Sequence, residues 1–280
     1  MASTLPPIAF IGGGNMASAI IGGLRASGLP ASHFEIVEPD ASARERIATQ
    51  FGITPLSAAS AALSRCGIIV WAVKPQVFSE ATVPVKNVVD PNALHLSVAA
   101  GISSESISAW LGNNRIVRAM PNTPALVGKG MTGLFGRATV DAASKAQIET
   151  LLERTGQLLW VNEEADLDAV TAVSGSGPAY VFFFIEAMTQ AGVDMGLTPE
   201  QAERLAVGTF TGASALAAAS DEPPSVLRQR VTSKGGTTYA AITSMEEAGT
   251  AEGIKVAMRA AQRRAAELAV EFGKAPSASL

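Results

Sequence analysis

The run Gly12-Gly13-Gly14-Asn15-Met16-Ala17 follows a short apolar stretch ending at Ile11 and opens a helical pattern that reaches about Ser27, with Gly28 as its stop. Its spacing is G-x-G-x-x-A. Glycines there permit a tight turn and bring backbone N–H groups close to a pyrophosphate, which the positive end of the following helix attracts. Because the motif sits between a strand and a helix, Ile11, Gly12, Gly13, Gly14, Asn15 and Met16 predict a dinucleotide site. The competing account is a glycine-rich turn that only saves space.

An acidic residue at the end of the second strand would accept a ribose 2′-hydroxyl, whereas a 2′-phosphate wants hydroxyls or arginine. Glu38 ends the second apolar run and favours NADH. Ser42, Arg44 and Arg46 follow within a turn or two and favour NADPH, with Asp40 between them. Both cofactors stay open, and a solvated helix start accounts for the same charges. Ala72, Val73, Lys74 and Pro75 leave a third apolar run; Val98, Ala99, Ala100 and Gly101 leave a fourth. Ligands of doubly wound sheets gather at such strand ends, so Lys74 is expected against the cofactor. The small side chains at 98–100 are expected against a flat nicotinamide ring, with a plain packing glycine as the other reading.

A second anion site lies near the other end of the chain. Gly235 and Gly236 precede a helical pattern starting near Thr237, so unpaired N–H groups of its first turn suit a carboxylate, and Ser233 and Thr237 add hydroxyl donors. An ordinary Ser/Thr helix cap competes with this reading. Other carriers of acid–base chemistry are scarce: the chain has two histidines, His33 and His95, and one cysteine, Cys66. His95 lies within a strand pattern and His33 precedes one, so both read as structural, and Cys66 reads as a core thiol. One cysteine excludes an intrachain disulfide framework and a cysteine zinc site, and no metal is expected.

Short β-type runs at residues 8–11, 34–37, 68–73, 94–99, 116–119 and 133–135 alternate with helical patterns. Two of these, 41–51 and 103–111, are stopped by Gly52 and Gly112. The alternation predicts a parallel α/β sheet. A helix over 141–155 and a strand over 157–161 close this half. From about Glu164 the period changes to long Ala-rich helical stretches, which divides the chain into a dinucleotide-binding domain at 1–163 and an all-helical domain at 164–280. Thr198, Pro199 and Gln201 supply a capping hydroxyl, a first-turn proline and an amide three residues on, predicting a helix to about Ser220. Residues 180–185 are apolar on every side, so they are buried in a core of the chain or, the favoured reading, against a second subunit. The tail at 275–280 reads as frayed.

With 48% hydrophobic and 16% charged residues the chain can fill one or two cores, which excludes intrinsic disorder. A net charge of -4 with scattered basic residues gives no footprint for nucleic acid or anionic lipid. No apolar run approaches the roughly 18 to 20 residues of a spanning helix, and the start lacks the basic flank of a secretory signal. These features predict a cytoplasmic protein, with no nucleic-acid or membrane partner, whose partners are small molecules or another copy.

Three further stretches are unusually specific: RAMPNTPALVGKG at 118–130, AVSGSGPAYVF at 172–182 and VTSKGGTT at 231–238. With IGGGNM at 11–16 and AVKPQ at 72–76, in this order and over essentially the whole chain, the sequence resembles pyrroline-5-carboxylate reductase. The resemblance implies an α/β Rossmann-like domain followed by a helical dimerisation domain, assembled as a homodimer or a ring of dimers. It implies reduction of 1-pyrroline-5-carboxylate to L-proline by NADPH or NADH, the last step of proline biosynthesis. In the family the threonine matching Thr238 is thought to hydrogen-bond the imine nitrogen, which makes Thr238 the expected catalytic residue, with Ser233, Gly235, Gly236 and Thr237 holding the carboxylate. Asn122, Thr123 and Pro124 are expected to shape a loop over the nicotinamide, and Ser174 to Pro178 to form a close-packed break before the interface helix.

Hydride transfer to a C=N bond needs little acid–base machinery, since the nitrogen can take its proton from solvent; this fits the shortage of histidine. Three positions depart from the family. Lys234 stands where proline is usual in the substrate loop. Ala59, or a neighbour in the run from Ser57, stands where an asparagine commonly contacts the adenosine ribose. Glu38 stands where a hydroxyl commonly meets the 2′-phosphate. The competing functions are reduction of a related cyclic imine acid and a catalytically idle dinucleotide sensor.

Overall fold

The computed structural model describes residues 5–273, so the tail at 275–280 lies outside the described residues. The sheet-bearing half runs β1 (Ile8–Ile11), α1 (Asn15–Ala26), β2 (Phe34–Val37), α2 (Ala41–Phe51), β3 (Ile68–Trp71), α3 (Phe78–Val85), β4 (Leu94–Ser97), α4 (Ser104–Leu111) and β5 (Ile116–Met120). It continues with β6 (Gly130–Gly136), α5 (Ala142–Leu152) and β7 (Gly156–Trp160). Helices follow: α6 (Asp166–Val170), α7 (Gly177–Asp194), α8 (Pro199–Ala218), α9 (Pro224–Arg230), α10 (Thr237–Glu247) and α11 (Thr250–Phe272).

Strand order is β2-β1-β3-β4-β5-β6-β7. The first five strands pair parallel, as the alternation predicts. The expectation of a wholly parallel sheet is corrected at β6, which runs antiparallel to β5, while β7 runs parallel to β6. The link from Met120 to Gly130 holds only a short turn at Thr123–Val127, and a parallel return needs a crossover of a dozen or more residues. The third and fourth strands also end earlier than expected, at Trp71 and Ser97. Each ladder continues by one amide beyond its strand, Ala72 to the Ile11 carbonyl at 2.8 Å and Val98 to the Trp71 carbonyl at 3.1 Å, before the chain turns away.

Successive residues of the strands alternate between two apolar layers, which is why the strands read as continuous hydrophobic runs. Ile8, Phe10, Ile36, Ile68 and Val70 pack with Ile20, Ile21, Leu24, Ile148 and Leu151 of α1 and α5. Ala9, Ile11, Ile69 and Trp71 pack with Phe78 of α3, Ile107 of α4 and Phe272 at the end of α11. Helix stops are chemical: Gly52 and Gly112 take left-handed conformations after α2 and α4, and the Asp40, Ser103 and Asp141 side chains cap α2, α4 and α5.

By compactness the chain forms two units, residues 1–175 with 261–280, and residues 176–260. This division differs from the change of period at 163/164. Glu164 is hydrogen-bonded to α4, Val170 lies against Gly133 of β6, and Leu268 and Phe272 of α11 lie against Gly101, so these residues beyond 163 belong to the sheet's unit. The second unit is helical throughout. Its α7 and α8 cross closely at Gly192, where an added Cβ would stand 2.8 Å from the Ala202 Cβ. The capping box of Thr198 and Gln201 starts α8, which ends at Ala218.

Candidate active site

Three glycines, each fixed for its own reason, make the turn after β1. Gly12 has φ +96°, and an added Cβ would stand 2.6 Å from the Ala72 carbonyl oxygen; on Gly13 it would overlap Ile47 Cδ1. These two are glycine because strands β1 and β3 and helix α2 crowd them. Gly14 is different: it has ordinary φ -73°, is exposed, and an added Cβ would meet nothing within 4 Å. The turn-only reading accounts for Gly12 and Gly13 but not for Gly14, which leaves open surface in front of α1. Gly14 is the N-cap of that helix, and no side chain caps it. The first-turn amides of Asn15, Met16 and Ala17 therefore point at this surface without intrahelical partners, the requirement for holding a pyrophosphate.

Glu38 extends from β2 over the same turn. Its Oε2 accepts from the Gly13 amide at 2.8 Å and its Oε1 from the Asp40 amide at 2.9 Å. Asp40 caps α2 through the Ala43 amide and takes the Ser42 hydroxyl at 2.6 Å; these two bonds hold its carboxyl below the usual range. Arg44 Nη1 donates to the Glu38 and Pro39 carbonyls at 2.9 and 2.6 Å, and Arg46 Nη1 to the Ser42 hydroxyl at 3.2 Å.

The other expected cofactor residues stand at neighbouring strand ends of the same unit. Lys74 is exposed and starts the turn at Pro75–Val77, while Ala72 and Val73 are half-buried. Val98 and Ala100 are half-buried, but Ala99 packs in the core layer with Phe272. Gly101 takes φ +71° and faces Leu268 at 2.9 Å from an added Cβ, which favours the packing reading at that position. Asn122 clasps the chain rather than standing free: its Nδ2 donates to the Ser174 carbonyl at 3.0 Å and its Oδ1 accepts from the Met131 amide at 2.9 Å. This joins the β5–β6 link to the single π-turn at Thr171–Gly175, where an added Cβ on Gly175 would stand 2.5 Å from Met120 Cε. The close-packed break before α7 has its cause there.

Ser233 to Thr238 belong to the second unit. Gly235 has φ +78° with open space around it, and Gly236 is the N-cap of α10 without a side-chain cap. Ser233 accepts the Gly236 amide on its carbonyl at 3.0 Å, and Ser233, Thr237 and Thr238 are exposed. The bland reading, a Ser/Thr cap, fails on geometry, because no hydroxyl closes the helix end.

Both histidines are structural. His33 Nε2 is bonded to the Leu5 carbonyl at 2.8 Å; His95 is 1% exposed and accepts the Trp71 Nε1 hydrogen on Nδ1 at 3.1 Å. Burial lowers the His95 pKa to about 4, and burial raises the Cys66 thiol to about 11. Sequence reasoning missed an ionic cluster. Glu164 accepts from the Ser104 amide at 2.6 Å, the Ser104 hydroxyl at 2.5 Å and Arg118 Nη1 at 2.8 Å. Burial pushes the Glu164 carboxyl up, but these bonds outweigh it and leave its pKa below the ordinary value; burial raises that of neighbouring Asp168. The available signal was Arg118 inside the apolar run IVRAM, since a cation in a buried strand requires an anion.

With this geometry in hand, two family models match the chain. One, described as NADP oxidoreductase coenzyme F420-dependent, covers residues 7–101, and one described as pyrroline-5-carboxylate reductase dimerisation covers residues 164–268. The pyrroline-5-carboxylate reductase of Pseudomonas aeruginosa is 46% identical over 96% of this chain and 99% of its own. The solved pyrroline-5-carboxylate reductase of Coxiella burnetii superposes with a TM-score of 0.89 at 36% identity, covering 95% of this chain and 99% of its own. The pyrroline carboxylate reductase of Plasmodium falciparum, solved with NADP bound, superposes with a TM-score of 0.83 at 27% identity, covering 94% and 98%.

Proposed function

The chain belongs to the pyrroline-5-carboxylate reductase family, and from that premise we propose how its residues divide the work of reducing 1-pyrroline-5-carboxylate to L-proline. The reaction is the last step of proline biosynthesis and uses NADPH or NADH. The observation that carries the assignment is the N-terminus of α1 at Gly14, which no side chain caps and which opens onto free space, so that its first-turn amides can hold a pyrophosphate.

Residues 1–163 hold the dinucleotide and residues 164–280 hold the substrate and make the dimer. Gly12 to Met16 seat the pyrophosphate on the amides of α1, Glu38 meets the adenosine ribose, and Ile11, Ala72 to Pro75 and Val98 to Ala100 line the strand ends along which the cofactor lies. When bound, the reduced nicotinamide supplies a hydride to the imine carbon. The turn from Ser233 to Thr237 holds the substrate carboxylate on the N-terminal amides of α10 and on two hydroxyls. Thr238 donates its hydroxyl hydrogen to the ring nitrogen or accepts from it once protonated, fixing which face of the ring the hydride reaches. The nitrogen takes one proton from solvent, so one hydride and one proton balance the conversion of C=N to CH–NH. Orientation rather than acid–base assistance supplies the catalysis. Lys234, in the family's proline place, adds a positive charge to the carboxylate loop.

The protein forms a homo-oligomer through its dimerisation domain, and we place it as a homodimer or a ring of dimers. Among the described residues no helix is long and apolar enough to cross a membrane; the cytoplasm is the proposed compartment. The test is loss of reduced-nicotinamide absorbance with racemic pyrroline-5-carboxylate, using NADPH and NADH in parallel. Turnover is expected. Turnover only on pyrroline-2-carboxylate or a six-membered imine acid would move the substrate, and cofactor binding with no turnover of any imine would leave a sensor.

A further inference from the structure

Glu38 occupies the position at the end of β2 that meets an adenosine ribose, and the structure holds it there from every side. Its backbone amide donates to the Leu56 carbonyl at 2.9 Å, and the Leu56 amide donates to the Ile36 carbonyl at 2.7 Å, so the strand end cannot slide. Its two carboxylate oxygens are fixed by the amides of Gly13 and Asp40. An ionised carboxylate accepts at about four sites, so two bonded amides leave room for the two hydroxyls of an unmodified ribose. They leave no donor for a phosphate.

The groups that would welcome a 2′-phosphate are each turned at least in part toward other partners. The Ser42 hydroxyl hydrogen goes to Asp40, Arg46 reaches back to the Ser42 oxygen, and Arg44 Nη1 is spent on the Glu38 and Pro39 carbonyls. Asp40, ionised by its own hydrogen bonds, adds a second negative charge two residues from Glu38. A 2′-phosphate placed here would face two carboxylates, one held by two amides, with Arg44 turned toward backbone carbonyls and Arg46 toward the Ser42 hydroxyl.

We infer that Glu38 is a specificity residue that reads the ribose 2′-hydroxyl and rejects the 2′-phosphate, so that this reductase works with NADH in preference to NADPH. The inference rests on the proposed dinucleotide seat and concerns only its adenosine end. It differs from the NADP seen on the Plasmodium falciparum relative because the discrimination is placed in one side chain of this chain.

The test is direct binding by calorimetry or fluorescence titration of the full-length protein with NADH and NADPH, alongside kcat/KM for each. The wild type is expected to bind NADH at least about tenfold more tightly, the ratio one misplaced charge readily produces. Glu38→Ser removes the carboxylate and adds a hydroxyl; it is expected to erase or invert the ratio by improving NADPH binding and weakening NADH binding. Because Glu38 also clasps Gly13, Glu38→Gln serves as the second variant. It keeps the side-chain length and one acceptor oxygen, removes the charge and puts an amide donor in place of the other oxygen; it is expected to tighten NADPH binding, and its melting temperature reports the loss of one of the two amide bonds. Equal or tighter NADPH binding by the wild type overturns the inference. So does a ratio unmoved by both variants, or loss of NADPH binding on Arg44→Ala, which would show the arginine leaving its carbonyls for the phosphate. Failure to bind either cofactor would instead overturn the dinucleotide seat itself.

Discussion

In the unit that carries the sheet, Phe10, Trp71 and Phe78 are fully enclosed, while in the helical unit Phe182 and Phe183 stand 58% and 67% exposed. Among residues 176–260 only Gly192, Ala202 and Ala206 are buried. Both regions are apolar in sequence, so the difference is one of where the partner surface comes from. The sheet finds its cover in helices of its own unit, on both faces. Helices α7, α8 and α10 have too few neighbours within the unit to hide their apolar faces, and a surface of that kind marks an interface with another copy. The core reading of residues 180–185 is therefore set aside for a single chain, in agreement with the dimerisation model over 164–268.

The largest expected effect tests that contrast. Phe183→Glu places a charge on the exposed face of α7, and if that face is covered by a second copy the substitution should weaken the dimer by about 4 kcal/mol or more, roughly a thousandfold in its dissociation constant. Light scattering should then report monomers at micromolar concentration, with imine reduction lost alongside. A variant that stays dimeric with unchanged melting temperature would mean that α7 is covered by nothing.

The contrast also explains what the sequence made legible. Strands β1, β3 and β4 were readable because each is buried along its whole length between helices, so composition and period alone mark them. Gly12 to Gly14 were readable as a motif, but only coordinates separate Gly12 and Gly13, squeezed by Ala72 and Ile47, from Gly14, which is left open. The direction of β6 was not read, since pattern marks a strand but not its sense; the short link after Met120 decides it. The cofactor end at Glu38 stayed ambiguous because its answer lies in which carbonyls Arg44 chooses, a matter of side-chain geometry. The ion pair of Arg118 and Glu164 spans 46 positions and joins β5 to the turn before α6, out of reach of any local pattern.

A middle-sized effect belongs to the first unit alone. His95 is neutral in the fold, with a pKa lowered by burial from 6.5 to about 4, so the unfolded chain binds its proton first as pH falls. The fold's advantage from this residue is complete above pH 6.5 and is lost progressively down to about pH 4, on the order of 3 kcal/mol across that window. Urea unfolding between pH 7.5 and 4 should show this slope in the wild type, and His95→Asn, which keeps an acceptor for Trp71 Nε1 but cannot titrate, should flatten it. Equal slopes would mean that other groups carry the acid sensitivity. Because His95 lies in the enclosed sheet, the dimer contacts of the helical unit should survive the same pH range better than the sheet does.

The smallest effect tests the helical unit where it is proposed to do chemistry. Thr238 is exposed in the first turn of α10, and its hydroxyl closes no helix end, so removing it should not disturb folding. If it instead positions the ring nitrogen, Thr238→Ala removes one hydrogen bond from the reacting complex, about 1 to 3 kcal/mol, or roughly five- to 150-fold in kcat/KM for the imine. A bond made equally to substrate and transition state would appear in KM alone, and one that matters for aligning hydride transfer would appear in kcat. Thr238→Ser restores the hydroxyl without the methyl and should recover most of the loss, which separates hydrogen bonding from packing. Cofactor affinity, governed by the other unit, should remain at the wild-type value in both variants; a parallel loss of dinucleotide binding would show that the threonine acts on the cofactor site rather than on the substrate, and unchanged kinetics in Thr238→Ala would remove it from the mechanism.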